Sequence, residues 1–172
     1  MKILAVQSRM GIGDTVIFLP FIKALSKKFN SPISILVKEN SKANQYLHQT
    51  KYIDKILTLE RDNKTNNRHG GFFGIFKLAN DLKKYKFDKI FIFNSSLRFN
   101  LVAKISGISQ IYQYPLFTKN KQHIIETPKK FLKESLHLDI NEDPEVQIDS
   151  DLISKAAQKF QIDKNITNIL LG

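Results

Sequence analysis

The stretch Ser8-Arg9-Met10-Gly11-Ile12-Gly13-Asp14-Thr15 decides the fold, because it joins two apolar patterns of different period. The run at 2–6 before it predicts a buried strand. Behind it, apolar residues recur at helical spacing from Val16 to Phe29, and Pro20 predicts a kink or a restart of that helix. A strand, a turn with two glycines and a helix N-terminus together favour the binding of an anionic group.

Three interpretations of this turn stay open on the residues alone. Gly11 and Gly13 fit the first two positions of a dinucleotide fingerprint, but Val16 stands at the third, and Asp14 puts a negative charge where a pyrophosphate would lie. A second interpretation makes Asp14 the N-cap of the helix, worth roughly 1 kcal/mol. The third makes Asp14 a general base at the carboxyl end of a strand.

The rest of the chain alternates strand and helix patterns. Strands are predicted at 2–6, 33–37, 54–59, 87–93 and 108–112. Helices are predicted behind the first turn, at 41–48 with Ser41 as cap, at 72–85, at 98–106, at 124–136, and at 151–160 with Asp151 as cap. This order predicts an α/β fold, a Rossmann-like open parallel sheet with helices on both faces.

Composition limits the classes of protein that fit. The 172 residues suit one core, and 42% hydrophobic with 25% charged residues is typical of a globular protein. No cysteine is present, which excludes disulfides, thiolate nucleophiles and cysteine-built metal sites. No apolar run reaches the ~20 residues that span a bilayer, and no signal peptide is recognised, so a cytoplasmic location is expected.

The formal net charge is +11, which favours an anionic partner such as a nucleic acid, a membrane surface or a phosphorylated substrate. No nucleic-acid motif occurs, so nucleic acid is not expected as a partner. The four histidines, at 48, 69, 123 and 137, lack metal-ligand spacing, and neither a nucleophile elbow nor a P-loop is present. We therefore expect neither a metal nor a cofactor.

Two further segments carry candidate site residues. Residues 60–71 contain no apolar side chain, which predicts an exposed loop whose Arg61, Lys64, Arg68 and His69 clamp a phosphate or carboxylate, or are simply solvated. Residues 94–98 follow the fourth strand, where the strand order should reverse, so they are expected to face the Asp14 turn. Ser95, Ser96 and Arg98 could contact a substrate there, or Ser96 could cap the next helix.

The residues of the first turn resemble a known family. The run Ser8 to Pro20, with its Gly13-Asp14 pair opening a helix, is similar to the amino-terminal signature of the heptosyltransferases, glycosyltransferase family 9. The stretch 98–107 matches the family form Arg-x-x-Leu-x-Ala-x-x-Ser-Gly. One departure lies before the Gly-Asp pair, where Ile12 replaces the usual Ser, Met or Leu and Gly11 is added.

The resemblance implies the amino-terminal half of a GT-B glycosyltransferase. Its domains would be an acceptor-binding domain at 1–140, a linker and helix at 141–165, and the first strand of a missing donor-binding domain at 166–172. Its activity would be transfer of a sugar, in this family a heptose, from a nucleotide-diphosphate sugar to an anionic lipopolysaccharide-core-like glycolipid. Such an acceptor implies peripheral association with the inner face of the membrane.

The resemblance also assigns roles to residues. It makes Asp14 the catalytic base, with Gly13 and Thr15 beside the substrate. It makes the basic loop an acceptor site, and adds His123 and Lys121 as acceptor contacts, although a surface or capping histidine is the other interpretation of His123. The alternative function is a non-catalytic nucleotide- or nucleic-acid-binding α/β module, and another donor sugar is a further alternative.

Overall fold

The apolar runs form a parallel sheet in the computed structural model, which describes residues 1–9, 11–61, 67–116 and 124–162. Within those ranges the strands are β1 (Ile3–Val6), β2 (Ile33–Lys38), β3 (Ile53–Leu59), β4 (Lys89–Ile92) and β5 (Gln110–Gln113). The helices there are α1 (Ile12–Phe29), α2 (Ala43–Tyr46), α3 (Phe73–Lys83), α4 (Leu97–Ile105), α5 (Glu126–Leu136) and α6 (Ser150–Lys159). The predicted α/β class is confirmed.

The strand order is β3-β2-β1-β4-β5, and every neighbouring pair is parallel. β1 lies at the centre, with Ile3 opposite Ile33 of β2 on one side and Lys89 of β4 on the other. The order therefore reverses between β1 and β4, as predicted. The loops that leave the carboxyl ends of these two strands must lie side by side.

Each face of the sheet carries its own core, because successive side chains of a strand point to opposite faces. Ile3 and Ala5 of β1 pack with α1 and α5 on what we call the α1–α5 face. Leu4 and Val6 pack with α3 and α4 on the α3–α4 face. Helices on both faces explain why the central strands are apolar throughout rather than alternating.

The first helix does not restart at Pro20, contrary to one of the predicted outcomes. α1 runs from Ile12 to Phe29 with Pro20 inside it and buried. Proline has no N–H to give to the backbone carbonyl four residues earlier, so α1 lacks one bond of its ladder there. The helix ends at Asn30, which adopts the left-handed conformation with φ 46°.

Two predicted helix starts are wrong in detail. The predicted helix at 41–48 is a 3₁₀ turn at Glu39–Ser41 followed by α2, with Lys42 left-handed (φ 52°) between them. The last helix is capped by Asp149, not Asp151: the Asp149 carboxylate accepts a hydrogen bond from the backbone N–H of Asp151 at 2.7 Å. The predicted cap Asp151 is therefore two residues too late, whereas the predicted cap Ser41 does accept a hydrogen bond from the backbone N–H of Ala43, the first residue of α2, at 3.4 Å.

The segment at 137–149, which contains the start of the predicted linker at 141–165, lies against the α1–α5 face. Its Glu142 pairs with Lys23 of α1 at 3.2 Å between Oε2 and Nζ. Farther along, the backbone N–H of Asp149 donates to Gln49 Oε1 at 3.1 Å. The predicted domain limits stay predictions, and the predicted strand at 166–172 lies outside the described residues.

None of the helices in the described ranges is both long enough and apolar enough to cross a membrane.

Candidate functional site

Asp14 lies in the first turn of α1, and the backbone at the start of that helix holds its carboxylate in place. Gly11 is the N-cap of α1 and Asp14 is its third helical residue, so the predicted N-cap role of Asp14 is wrong by three positions. Asp14 Oδ2 accepts a hydrogen bond from the backbone N–H of Gly11 at 3.1 Å. This is the reach-back half of a capping box, and it fixes the carboxylate over the end of the helix.

The hydrogen bonds around Asp14 do not involve its other oxygen in the described part of the chain. Thr15 is buried and its hydroxyl donates to the Gly11 carbonyl at 3.1 Å, so this hydroxyl braces the turn. Gly13 is exposed, and a Cβ placed on it would meet nothing within 4 Å. In the part of the chain that the structure describes, no group bonds to Asp14 Oδ1. One carboxylate oxygen is therefore anchored while the other can accept a proton.

The turns after β1 and β4 meet, as the predicted switch point requires. Asn94, two residues past β4, donates from Nδ2 to the hydroxyl oxygen of Ser8 at 3.0 Å. The backbone extends the same contact, since the N–H of Phe93 donates to the carbonyl of Val6 at 3.1 Å. These bonds put the Asp14 turn and the Asn94 turn on the same edge of the sheet.

The turn after β4 is shaped by Gln113, a residue that the sequence reasoning missed. Gln113 Nε2 donates to the carbonyls of Asn94 (3.1 Å) and Ser96 (2.9 Å). Asn100 holds the Gln113 amide in turn, through Nδ2 to Oε1 at 2.9 Å. The predicted strand ended at residue 112, one residue too early, so the polar side chain at its carboxyl end was overlooked.

The predicted cap role of Ser96 is only half correct. Ser96 occupies the N-cap position of α4, but its side chain makes no capping bond. Its backbone N–H instead donates to Asn94 Oδ1 at 2.9 Å. Ser95 is exposed beside it. The two serine hydroxyls are thus not required for the fold of the turn, which leaves them compatible with the predicted substrate contact.

Two buried polar atoms near this edge have no hydrogen-bond partner among the described residues. Gln7 is only 3% exposed, and while its Oε1 accepts from the N–H of Arg9 at 3.0 Å, its Nε2 has no partner among the described residues. The phenol oxygen of Tyr114, just past β5, is also buried and has no hydrogen-bond partner among the described residues. Burial raises the pKa of Tyr114 above its usual range despite the opposing charge of Arg9, so the phenol stays protonated.

His69 is not the exposed clamp residue that the sequence predicted. It is 4% exposed, and its Nδ1 accepts a hydrogen bond from the backbone N–H of Glu60 at 3.1 Å. Its Nε2 lies 3.0 Å from Asp81 Oδ2. Because both ring nitrogens are engaged, His69 ties the end of β3 to α3 and has no nitrogen left for a ligand.

The other predicted loop residues that the structure describes, Arg68 and Arg61, are more exposed than His69. Arg68 is half exposed and pairs through Nη2 with Asp81 Oδ1 at 2.7 Å. Arg61 is partly buried two residues after β3. A cavity of about 220 Å³ is lined by Arg68 together with Leu57, Leu78 and Leu82. Lys64, Lys121 and His123 lie outside the described residues.

Arg98, predicted as a substrate contact, reaches back to the loop. Its Nη1 donates to the carbonyl of Gly71 at 2.7 Å, and its Nη2 donates to the carbonyl of His69. Gly74 of α3 packs under the same group: a Cβ there would lie 2.4 Å from the His69 carbonyl oxygen and 2.8 Å from Arg98 Nη2. Arg98 therefore connects the turn after β4 to residues 69–71.

No cluster of three or more histidine, aspartate or glutamate side chains is placed to hold a metal ion in the described ranges.

Comparison with known proteins places this fold. No protein-family model matches the chain. No curated protein matches it either. Among solved structures, the glycosyl transferase family 9 protein from Veillonella parvula matches with a TM-score of 0.69 and 18% identity, over 96% of this chain and 50% of that one.

Two E. coli structures match the same way. ADP-heptose lps heptosyltransferase II gives a TM-score of 0.61 at 15% identity, over 95% of this chain and 52% of that one. Heptosyltransferase WaaC with ADP gives a TM-score of 0.53 at 12% identity, over 83% of this chain and 49% of that one. The chain thus spans about half the length of the structures it matches. At these identities the likeness shows the fold. It confirms the predicted fold, a Rossmann-like α/β sheet that corresponds to about half of each matched glycosyltransferase chain.

Proposed function

We propose that this chain is the acceptor-binding half of a glycosyltransferase that transfers a sugar from a nucleotide-diphosphate donor. The observation that carries the proposal is the Asp14 carboxylate, with Oδ2 bonded to the Gly11 N–H and Oδ1 without a described partner. It stands at the reversal of strand order between β1 and β4, where ligands of open α/β sheets bind. The fold shared with glycosyltransferases supports the reaction class.

In the proposed reaction Asp14 acts as the general base. As the acceptor hydroxyl oxygen attacks the anomeric carbon of the donor sugar, its proton passes to Asp14 Oδ1. The new glycosidic bond forms while the bond from the anomeric carbon to the diphosphate oxygen breaks, and the nucleoside diphosphate leaves with the electron pair. The anchored Oδ2 keeps the carboxylate in a fixed orientation, so little reorganisation is needed during proton transfer.

The donor is proposed to be a nucleotide-diphosphate heptose. This rests on two of the similar structures, one named an ADP-heptose lps heptosyltransferase and another described with ADP-2-deoxy-2-fluoro heptose. The chain matches only about half of each, so most donor contacts are assigned to a second half of the enzyme. Within this chain, Gly13 and Thr15 border the base, and the exposed Ser95, in the neighbouring turn after β4, can donate to a sugar hydroxyl.

The acceptor is proposed to be an anionic glycolipid of the lipopolysaccharide-core type. Arg68 supports this, because its guanidinium lines a cavity beside β3 and stays half exposed although it pairs with Asp81. Arg61 and Lys64 of the same loop, together with His123, stay predicted acceptor contacts. Arg98 is proposed to act mainly by shaping the turns at this edge, since its guanidinium donates to the carbonyls of Gly71 and His69. Ser96, whose hydroxyl makes no capping bond, stays a predicted substrate contact.

The test is Asp14→Asn in the transferase that contains this chain and its donor half. Asparagine can still accept from the Gly11 N–H, so the fold should be kept and the urea midpoint should stay unchanged. Removal of a general base should lower kcat by ~10²–10⁴ with little change in KM for either substrate. The readout is release of nucleoside diphosphate with a nucleotide-diphosphate heptose and a core-glycan acceptor.

Asp139→Asn is the matched control, because Asp139 is an exposed aspartate that pairs with Lys133 at 2.8 Å and lies beside Lys27 and Lys28, at the opposite end of α1 from Asp14. It should leave kcat unchanged. Near-normal turnover of the Asp14→Asn enzyme would reduce Asp14 to its capping role. Tight, salt-sensitive binding of DNA or RNA by the chain, with no response to sugar nucleotides, would instead favour the non-catalytic module.

A further inference from the structure

An apolar and basic surface covers the outside of the α3–α4 face. Its aromatic part is Phe72, Phe73 and Phe76, whose side chains are 70%, 76% and 49% exposed. The Phe72 ring contacts the other two rings edge to face, with centroids 6.0 Å from Phe73 and 5.7 Å from Phe76. Three exposed large aromatics in one cluster are unusual on a protein surface that only meets water.

The neighbouring helix continues this surface. α4 exposes Leu97, Leu101 and Ile105, each 44–46% exposed and spaced four residues apart, so they form one row along the helix. α3 and α4 share one core, and the contact of Gly74 with Arg98 puts their first turns side by side. We call these six apolar residues the α3–α4 outer surface.

The charges around the α3–α4 outer surface are nearly all positive. Residues 67–116 contain eight lysines and arginines but only two aspartates. Asp81 is engaged by Arg68 and His69, and Asp88 accepts from the backbone N–H of Lys2 at the opposite end of the sheet. Lys77 of α3 and Lys104 of α4 are exposed on the same helices as the apolar rows.

We propose that the α3–α4 outer surface docks on an anionic phospholipid bilayer. Phenylalanine and leucine side chains enter the boundary between headgroups and acyl chains, while lysines beside them are attracted to anionic headgroups. The charge argues against a second copy of this chain as the occupant, because two such surfaces would bring like charges together.

The position of the α3–α4 outer surface relative to Asp14 indicates what docking would do for the proposed reaction. α3 and α4 both begin at the carboxyl edge of the sheet, which also carries Asp14 and the Asn94 turn. Docking by this surface would hold that edge close to the membrane plane, where the sugar of a membrane-anchored glycolipid lies. The inference deepens the proposed function, but membrane docking itself requires no catalysis, so each can fail without the other.

The experiment is co-sedimentation of the chain with vesicles of equal parts phosphatidylcholine and phosphatidylglycerol, and with vesicles of phosphatidylcholine alone. The chain should bind the anionic vesicles and should be released as salt is raised. A variant with Phe72→Ser, Phe73→Ser and Phe76→Ser should lose ~10-fold or more of its partitioning. Lys77→Gln with Lys104→Gln should weaken binding to the anionic vesicles and leave the weak binding to phosphatidylcholine unchanged.

Phe160→Ser is the matched control, because Phe160 is 68% exposed at the end of α6 and lies outside the α3–α4 outer surface. It should bind vesicles as the parent does, and equal urea midpoints should show that all variants fold. The proposal is overturned if the parent ignores anionic vesicles, or if Phe160→Ser weakens binding as much as the triple variant. It is also overturned if the triple variant changes only the oligomeric state, since the surface would then be a protein interface.

Discussion

The two faces of the sheet carry similar helices but differ in how their outer charges are arranged. On the α1–α5 face four lysines have acidic partners: Lys23 and Lys27 with Glu142, Lys133 with Asp139, and Lys130 with Glu134. On the α3–α4 face the exposed Lys77 and Lys104 stand beside exposed phenylalanines and leucines. The chain itself thus neutralises part of the charge on one face, whereas the other face exposes lysines beside apolar side chains.

The difference comes from one segment of sequence. Residues 137–151 contain six acidic side chains and no lysine or arginine, and this segment lies against α1. Nothing comparable crosses α3 and α4 in the described ranges. A net charge of +11 is therefore not spread evenly, and composition alone could not show on which face it would remain.

The largest expected effect separates a buried phenylalanine from an exposed one. Phe91 of β4 is fully buried and stacks on Tyr112, with ring centroids 4.6 Å apart. Phe91→Ala should lower the free energy of unfolding by about 3–5 kcal/mol. Phe73→Ala, the matched change on the α3–α4 outer surface, should change it by less than about 0.5 kcal/mol. Urea denaturation followed by circular dichroism measures both.

A large loss of stability in Phe73→Ala would break the comparison, because it would mean that the aromatic cluster is part of the packed structure. A small loss in Phe91→Ala would contradict the assignment of β4 to the core.

The sheet was predictable because its signals are local and repeated. The apolar runs at β1, β2 and β4 are buried on both sides, and the alternation of strand with helix leaves the parallel arrangement as the simplest topology. The same topology predicted that the turns after β1 and β4 would meet, and the bond between Asn94 and Ser8 confirms it. Boundaries were less accurate, as the end of β5 at Gln113 shows.

The details of the site depended on long-range contacts that no local pattern reveals. His69 lies in a segment without apolar residues, yet it is buried because a backbone N–H and the Asp81 carboxylate satisfy both of its nitrogens. Arg98 resembled a ligand contact by its position, but it donates to two carbonyls 27 and 29 residues earlier in the chain. Polarity in the sequence thus predicted that these residues matter, but not which partners they have.

A second prediction concerns the close packing of α3 against the backbone of His69, in the segment that precedes the helix. Gly74→Ala would place a Cβ 2.4 Å from the His69 carbonyl oxygen, so α3 or the loop must shift. We expect a loss of roughly 1–3 kcal/mol in the free energy of unfolding. Backbone amide exchange at His69 should also accelerate, because its bond to the Glu60 carbonyl would be strained.

Gly13→Ala is the control for that change, since a Cβ on this helical glycine meets nothing within 4 Å. It should be neutral or should stabilise the protein by up to about 1 kcal/mol through helix propensity. Equal effects of the two substitutions would show that Gly74 is not a close-packing position.

The smallest expected effect tests the charge pairing of the α1–α5 face. Hydrogen bonds from Lys27 and Lys23 lower the pKa of Glu142. A carboxylate whose pKa is lower in the folded state than its unfolded value of ~4.3 stabilises the protein above that value, and the contribution disappears as the pH falls through the folded pKa. Glu142→Gln should therefore destabilise the protein at neutral pH by less than about 1 kcal/mol, because the group is exposed and screened by solvent. The difference from wild type in urea-derived free energy should shrink at acidic pH and in high salt.

Lys104→Gln, on the other face, should show no such pH-dependent difference, since no acidic partner is lost there. If Glu142→Gln costs the same at neutral and acidic pH, then the segment at 137–149 is held to α1 by packing rather than by charge, and the contrast between the two faces lies in shape instead of electrostatics.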